Sequence, residues 1–215
     1  SYNNVDELTN SIEGHSFRVL KKDCLDLPEK IYQRHPVELS KNQRKLYDQL
    51  RKDFVTELEG EHLSAPEAIT RLLRMQQIIC GWFPTEEGGM EIDEKNTRLT
   101  ALIDLLPDIE CKVIIWARFK RDIKAIGEAL GDKAVSYYGE VSNDDREIAV
   151  DRFQNDPKVR YFIGQPQSGG IGLTLTAAEC AIYYSNSFDL ETRMQSEDRC
   201  HRIGTKNNVT YIDFE

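Results

Sequence analysis

The segment at residues 195–204, which reads QSEDRCHRIG, combines residue types that could bind a phosphate group. On a helix, Gln195, Arg199 and Arg202 would share one face because they are spaced four and three residues apart. Two neighbouring arginines repel each other unless an anion lies between them, and a guanidinium group can hold a phosphate through two hydrogen bonds. Such a pair can neutralise charge during phosphoryl transfer. The alternative is a solvated face on which the two acidic residues before Arg199 pair with the arginines.

A second segment, residues 165–178, follows a predicted buried strand and carries three glycines within four positions. Gly169, Gly170 and Gly172 permit positive φ angles and expose backbone N–H groups, which suits close approach to a phosphate or a sugar. A glycine-rich turn after a strand can equally be structural, so this segment alone does not decide between the two interpretations.

The composition limits which classes of protein this chain can be. It has 215 residues, 40% of them hydrophobic and 30% charged, and is too apolar for a disordered tail. Its longest apolar runs are far shorter than the ~20 residues that span a bilayer, and we expect no membrane association. The five cysteines lie at least 20 residues apart without metal-binding spacing, which favours a reducing, intracellular setting.

The distribution of charge limits how the chain could bind a nucleic acid. The formal net charge is −9, of which residues 1–111 carry −7 and residues 112–215 carry −2. A summed negative field repels phosphate. Any contact with nucleic acid must therefore come from a local cluster of residues.

Hydrophobic spacing and helix start signals predict a mainly helical first part at residues 1–94. Ser40 and Ser64 begin two amphipathic helices with capping-box spacing. Residues 30–39 are predicted as an edge strand because Pro28 precedes them and Pro36 lies within them, and residues 84–94 are predicted as one exposed loop.

Residues 95–215 alternate between helices and near-continuous apolar strands, which predicts an α/β fold with a parallel sheet covered on both faces. The predicted elements are a helix ending before Pro107, strand 112–116, helix 120–130, strand 134–138, helix 142–153, strand 160–164, strand 181–185, helix 191–202 and strand 208–214. Functional residues of such sheets collect beyond the carboxyl ends of the strands. We therefore predict a helical linker sub-domain at 1–94 and an α/β domain at 95–215.

The order of these motifs resembles the second RecA-like domain of superfamily-two helicases, specifically that of Swi/Snf-type DNA translocases. The last motif of that family, Q-A-x-D-R-x-H-R-I-G-Q, matches Gln195, Asp198, Arg199, His201, Arg202, Ile203 and Gly204. The preceding motif, A-G-G-x-G-L-N-L, matches Gly169, Gly170, Gly172, Leu173 and Leu175. The resemblance covers about residues 16–214. It implies a three-layer RecA-like fold, that of the second lobe of P-loop NTPases, in a bacterial or phage-like helicase.

The resemblance implies that ATP binds between two RecA-like lobes, with ATP and Mg²⁺ held mainly by the first lobe. Neither the G-x-x-x-x-G-K-[ST] loop nor the D-E-x-H box of that lobe occurs in this sequence. The chain begins at Ser1 with a polar stretch, and we expect an upstream portion that supplies this N-terminal lobe. Without it, the chain is expected to be inactive.

The resemblance also implies roles for individual residues. Arg199 and Arg202 would be arginine fingers that reach the β- and γ-phosphates of ATP, and Gln195, Gly170 and Gly172 would contact or sense the nucleotide. The track for double-stranded DNA is implied at Arg118, Phe119, Gly139, Gln167 and Ser168. Phe119 could instead be a hydrophobic residue that caps a helix, and Gly139 could simply permit a turn. His201 is expected to be a packed structural residue.

Two other functions stay open at this point. The chain could be a non-enzymatic nucleic-acid scaffold with a degenerate helicase fold, or a lobe of an RNA helicase. In each case the expected location is the cytoplasm of a bacterial or phage-infected cell, or another intracellular compartment.

Overall fold

A sheet of six parallel strands forms the centre of the computed structural model, which describes residues 4–13, 15–16, 24–59, 64–85, 89–168 and 173–215. The described residues contain eight strands in all, six in this sheet and two in a separate hairpin. They are β1 (Lys30–His35), β2 (Trp82–Phe83), β3 (Met90–Glu91), β4 (Lys112–Trp116), β5 (Ala134–Tyr137), β6 (Tyr161–Gly164), β7 (Ala178–Tyr183) and β8 (Val209–Phe214). The order across the sheet is β1-β8-β7-β4-β6-β5, whereas β2 and β3 form a separate antiparallel hairpin. The predicted parallel sheet is confirmed.

The helices begin at the signals that their sequences carry. They are α1 (Val5–Glu13), α2 (Lys41–Glu59), α3 (Ala65–Ile79), α4 (Thr97–Leu105), α5 (Lys120–Leu130), α6 (Asn143–Asn155) and α7 (Leu190–Glu197). Both predicted capping boxes are present, since Gln43 Oε1 accepts the N–H of Ser40 at 3.0 Å and Glu67 Oε2 accepts the N–H of Ser64 at 2.8 Å. None of the helices in the described ranges is long and apolar enough to cross a bilayer.

Both faces of the sheet are buried because successive side chains of a strand point to opposite sides. In β4, Ile115 packs into one apolar cluster and Ile114 into the other, and both side chains are fully buried. Leu102 of α4 and Ile126 of α5 belong to the first cluster, and Phe153 of α6 belongs to the second. The result is the predicted three-layer α/β fold.

Strand β1 lies at one edge of the sheet, as predicted. It pairs in parallel with β8, with Lys30 opposite Val209 and His35 opposite Phe214. Although β1 comes before α2 and α3 in the chain, it belongs to the same sheet as the later strands. The division of the chain at residue 94 stays a prediction, and β1 is the part of the first unit that is built into the α/β sheet.

The prediction of one exposed loop at residues 84–94 is wrong, because β3 lies within this range and pairs with β2. The hairpin is anchored at Trp82, whose side chain is buried and whose indole N–H donates to Asp122 Oδ1 at 3.1 Å. The acidic and glycine-rich composition favours a loop locally, but contacts with α5 hold both strands of the hairpin: Trp82 bonds to Asp122, and Glu91 lies 2.5 Å from Arg121 Nη2.

Candidate functional site

The two arginines of the last motif lie on a turn and not on a helix. The predicted helix at 191–202 is too long, because α7 ends at Glu197. Hydrogen bonds to distant segments hold the chain beyond it: Arg199 O accepts the N–H of Leu175 at 2.9 Å, and Glu197 O accepts the phenol of Tyr211 at 3.0 Å. A helical pattern of side chains therefore does not describe this part of the motif.

Arg199 and Arg202 lie close enough for their charges to interact. Partial burial, followed by the positive charge of Arg202, lowers the pKa of the Arg199 guanidinium. Arg202 is exposed, and its Nη1 donates to Thr174 Oγ1 at 3.1 Å. Within the described part of the chain, neither guanidinium forms an ion pair with a carboxylate. An anion between the arginines would relieve their repulsion and could accept hydrogen bonds from both.

The acidic neighbours of the arginines have other partners. Glu197 lies 2.9 Å from Lys30 Nζ and 2.9 Å from Arg193 Nε, and Asp198 lies 3.6 Å from Lys30 Nζ. In the described part of the chain, neither carboxylate forms a salt bridge with Arg199 or Arg202, although the negative charge of Asp198 acts on Arg199 and opposes the lowering of its pKa. The positive charge of the turn stays available to an external anion.

Two further residues of the motif point away from the arginine pair. Gln195 is exposed on α7, and its Nε2 donates to Glu191 Oε1 at 2.9 Å, so it shares no helical face with the arginines. His201 is buried, and its Nε2 lies 2.7 Å from the carbonyl oxygen of Pro28. Because a carbonyl oxygen only accepts hydrogen bonds, Nε2 carries the proton, and His201 has the structural role expected for it.

Arg118 lies at the carboxyl end of β4, where three neighbouring segments meet. Its N–H donates to Ser185 Oγ at 2.8 Å, and its carbonyl oxygen accepts Nε2 of Gln165 at 2.9 Å. Its half-buried guanidinium donates to Gln76 of α3, and burial lowers its pKa. Gln76 in turn donates to Asn186 O at 3.2 Å. The backbone at this edge is therefore fixed by side chains from α3 and from the ends of β6 and β7.

The other predicted DNA-contacting residues occupy different environments along the same edge. Phe119 packs edge-on against Trp82, with ring centroids 5.4 Å apart, and contacts the apolar core. Gly139 is exposed, and a Cβ added there would meet no atom within 4 Å. Gln167 is exposed on a short 3₁₀ turn, and Ser168 Oγ donates to Gln165 Oε1 at 3.2 Å. The predicted nucleotide-contacting residues Gly170 and Gly172 lie outside the described residues.

A groove of about 840 Å³ opens beside the arginine turn, and the sequence did not predict it. Its lining includes Tyr137 of β5, Arg146 of α6 and Thr174, the residue that Arg202 contacts. Arg146 Nη2 donates to Tyr138 O at 3.0 Å, and its guanidinium lies 5.5 Å from the centre of the Tyr137 ring. The sequence signal that could have indicated this groove is Arg146, which lies in the first turns of the helix that follows the carboxyl end of β5. In the described ranges, no group of His, Cys, Asp or Glu is arranged to hold a metal ion.

Comparison with known proteins identifies the family. Residues 94–204 match the family model described as the helicase conserved C-terminal domain, and this match spans just over half of the chain. The chain belongs to the helicase C-terminal domain family. The predicted resemblance of this helicase domain to the C-terminal lobe of Swi/Snf-type helicases is confirmed by the relatives and by the solved structures.

Two relatives show how much of the chain is shared. The chain is 31% identical over 123 residues to Helicase SWR1 of Candida glabrata, an alignment that covers 56% of this chain and 8% of the relative. It is 26% identical over 196 residues to an ATP-dependent helicase of Mycoplasma pneumoniae, an alignment that covers 89% of this chain and 19% of the relative. The matched part is therefore less than a quarter of the length of either relative.

Two solved structures share the fold. The C-terminal part of the Fun30 ATPase domain superimposes with a TM-score of 0.66 at 19% identity, covering 87% of this chain and 85% of that one. The Sulfolobus solfataricus SWI2/SNF2 ATPase core in complex with dsDNA superimposes with a TM-score of 0.69 at 22% identity, covering 98% of this chain and 46% of that one. The predicted RecA-like fold is confirmed.

Proposed function

We propose that this chain is the C-terminal motor lobe of an ATP-dependent double-stranded DNA translocase. The observation that carries the proposal is the pair Arg199 and Arg202, whose charges interact and which form no ion pair with a carboxylate in the described part of the chain. Two guanidinium groups in that state fit the phosphates of a nucleotide. The match to helicase C-terminal domains supports the same assignment.

ATP supplies the phosphoryl group in this reaction, and Mg²⁺ offsets part of its charge. Arg199 and Arg202 are proposed as arginine fingers that contact the β- and γ-phosphates and stabilise negative charge in the transition state. From the motif match, Gly170 and Gly172 are proposed to contact the nucleotide. Gln195 is proposed to sense it, which requires its side chain to leave Glu191 and turn towards the arginines. An N-terminal RecA-like lobe is proposed to hold the rest of the nucleotide and the metal ion, so this domain alone is expected to be inactive.

The DNA track is proposed at the carboxyl ends of β4, β5 and β6. Exposed Gly139 and Gln167 could approach a strand directly, whereas Arg118, Phe119 and Ser168 hold the edge in shape through their contacts within the domain. A related ATPase core has been solved in complex with dsDNA, which supports a duplex as the ligand. Because residues 112–215 carry a net charge of −2, the duplex would have to be held by local contacts and not by the summed field of the domain.

The experiment that tests this function is ATP hydrolysis by the complete protein with Arg202→Ala. Loss of an arginine finger is expected to lower the DNA-stimulated turnover by about a thousand-fold or more. The exposed residue Lys206 lies four residues further along the chain, and Lys206→Ala is the matched control, which is expected to leave the turnover unchanged. Thermal unfolding of both variants shows that the fold is intact.

Three results of this experiment would contradict the proposal. Unchanged turnover in Arg202→Ala would remove the arginine-finger role. An absence of ATP hydrolysis in the complete protein would favour a nucleic-acid scaffold. Stimulation by RNA but not by duplex DNA would favour an RNA helicase.

A further inference from the structure

The carboxylate of Glu197 collects hydrogen bonds from two different elements. Lys30 Nζ and Tyr32 Oη of β1 both donate to Oε2 at 2.9 Å, and Arg193 Nε of α7 donates to Oε1 at 2.9 Å. The Glu197 side chain is only 8% exposed. Burial opposes its ionisation, but the hydrogen bonds from Lys30, Arg193 and Tyr32 outweigh burial and lower its pKa. Glu197 therefore stays charged at neutral pH and holds all three donors.

Arg193, in the middle of α7, bonds this helix to the sheet. Its guanidinium lies 3.4 Å from the centre of the Tyr183 ring of β7. It also makes two hydrogen bonds to Asp213 of β8, one of them from Nη2 to Oδ2 at 3.0 Å. A guanidinium that is stacked on a ring and paired with a carboxylate through two hydrogen bonds has a fixed orientation. Arg193 thus holds Glu197 at a defined distance from β7 and β8.

Strand β1 reaches the same carboxylate from the edge of the sheet, where it has one neighbouring strand. The ring of Tyr32 stacks on Tyr211 with centroids 5.3 Å apart, and Tyr211 donates to the carbonyl oxygen of Glu197 at 3.0 Å. Side-chain and backbone contacts therefore both connect β1 to the last residue of α7. Glu197 lies two residues before Arg199, so these contacts join β1 to the residue next to the arginine turn.

We propose that Glu197 is a positioning residue, which couples the edge strand β1 to the turn that carries Arg199 and Arg202. The inference rests on the proposed function of those arginines. Arg199 follows Glu197 by two residues and its backbone carbonyl accepts the N–H of Leu175, so the place from which its side chain starts depends on where Glu197 is held. In the complete motor the proposed N-terminal lobe precedes β1 in the chain. Movement between the lobes would thus change the position of the arginines through Lys30, Tyr32 and Glu197.

The test compares two variants of the complete ATPase in which a basic residue of β1 is replaced by methionine. Lys30→Met removes a donor to Glu197, whereas Arg34→Met removes an exposed ion pair with Glu215, so it is the matched control. Misplacing a catalytic group by ~1 Å can cost about a hundred-fold in rate, so we expect Lys30→Met to lower kcat by about ten-fold or more. The KM for ATP is expected to change by less than about two-fold, because the loss falls on the transition state.

Further variants separate positioning from folding. Tyr32→Phe and Glu197→Gln should lower kcat in the same way as Lys30→Met. If Glu197→Gln fails to fold, the two β1 variants decide the question. In a double-mutant cycle, Lys30→Met should have a much smaller effect on kcat in an Arg199→Lys background, because Lys30 acts through Arg199.

The outcomes distinguish this inference from the function on which it rests. If Arg199→Ala abolishes turnover while Lys30→Met behaves like Arg34→Met, the positioning role is overturned and the proposed function stands. If Lys30→Met lowers kcat by the same factor in both backgrounds, Lys30 does not act through Arg199 and the inference fails. If Arg199→Ala leaves turnover unchanged, the proposed function falls and the inference falls with it.

Discussion

Asp122 gives a prediction whose size follows from the structure. Its carboxyl group lies in the first turn of α5, is almost fully buried and accepts the indole N–H of Trp82. Burial raises its pKa from 3.8 to about 7, against the hydrogen bonds from Cys80 and Trp82 and the charge of Arg98, which lower it. The folded protein therefore binds a proton on Asp122 at a pH where the unfolded chain does not.

The sign of the effect on stability follows from this raised pKa. The contribution of the protonated acid is complete below the unfolded pKa of 3.8 and is lost as the pH rises through about 7. One pKa unit corresponds to about 1.4 kcal/mol, so the free energy of unfolding should fall by about 2.5 kcal/mol between about pH 5 and about pH 8. Asp122→Asn keeps an acceptor for Trp82 and cannot ionise, so it should escape this loss.

The assay is urea unfolding of the chain, followed by tryptophan fluorescence at the two pH values. The measured quantity is the difference in unfolding free energy between Asp122→Asn and the unmodified chain, which cancels the titration of all other groups. This difference should shift in favour of the variant by about 2.5 kcal/mol from the lower to the higher pH. Glu128→Gln, at an exposed position of the same helix, should show no shift. A constant difference for Asp122→Asn would refute the reasoning.

Two further predictions concern the stability of the domain. A Cβ at Gly164 would meet Trp116 Cζ3 and Tyr137 O, both at 3.1 Å, so Gly164→Ala should lower the unfolding free energy by about 1–3 kcal/mol. At Gly139 a Cβ would meet no atom within 4 Å, so the control Gly139→Ala should change the unfolding free energy by less than about 0.5 kcal/mol. Equal urea midpoints for these two variants would contradict the packing around β6. Ser142 Oγ accepts the N–H of Asp145 at 3.2 Å at the start of α6, so Ser142→Ala should cost about 0.5–2 kcal/mol, measured by the same unfolding assay.

Local signals in the sequence predict most of this fold. The apolar runs of β4 and β6 and the capping residues Ser40, Ser64 and Ser142 act over a few residues, so their elements appear close to the predicted positions. The motif match also predicts the carboxyl edge of the sheet as the site. These signals act locally, and the sequence displays them directly.

Contacts between distant residues account for what the sequence did not predict. The end of α7 depends on Tyr211, which is 14 residues from Glu197, and the network around Glu197 depends on Lys30, which is 167 residues away. The β2–β3 hairpin depends on Asp122, which is 40 residues from Trp82. The hydrophobic periodicity of a single helix or strand carries no information about contacts between residues this far apart in the sequence. The arginines of the motif are therefore recognisable from the sequence, whereas the turn that holds them is not.

The measurement that tests the central claim most directly is the affinity of the complete protein for ADP with aluminium fluoride, a mimic of the transferring phosphoryl group. If Arg199 and Arg202 stabilise the transition state, replacing either by Ala should weaken this complex strongly and leave the affinity for ADP alone nearly unchanged. Equal affinity of the unmodified protein and of both variants for the mimic would contradict the account.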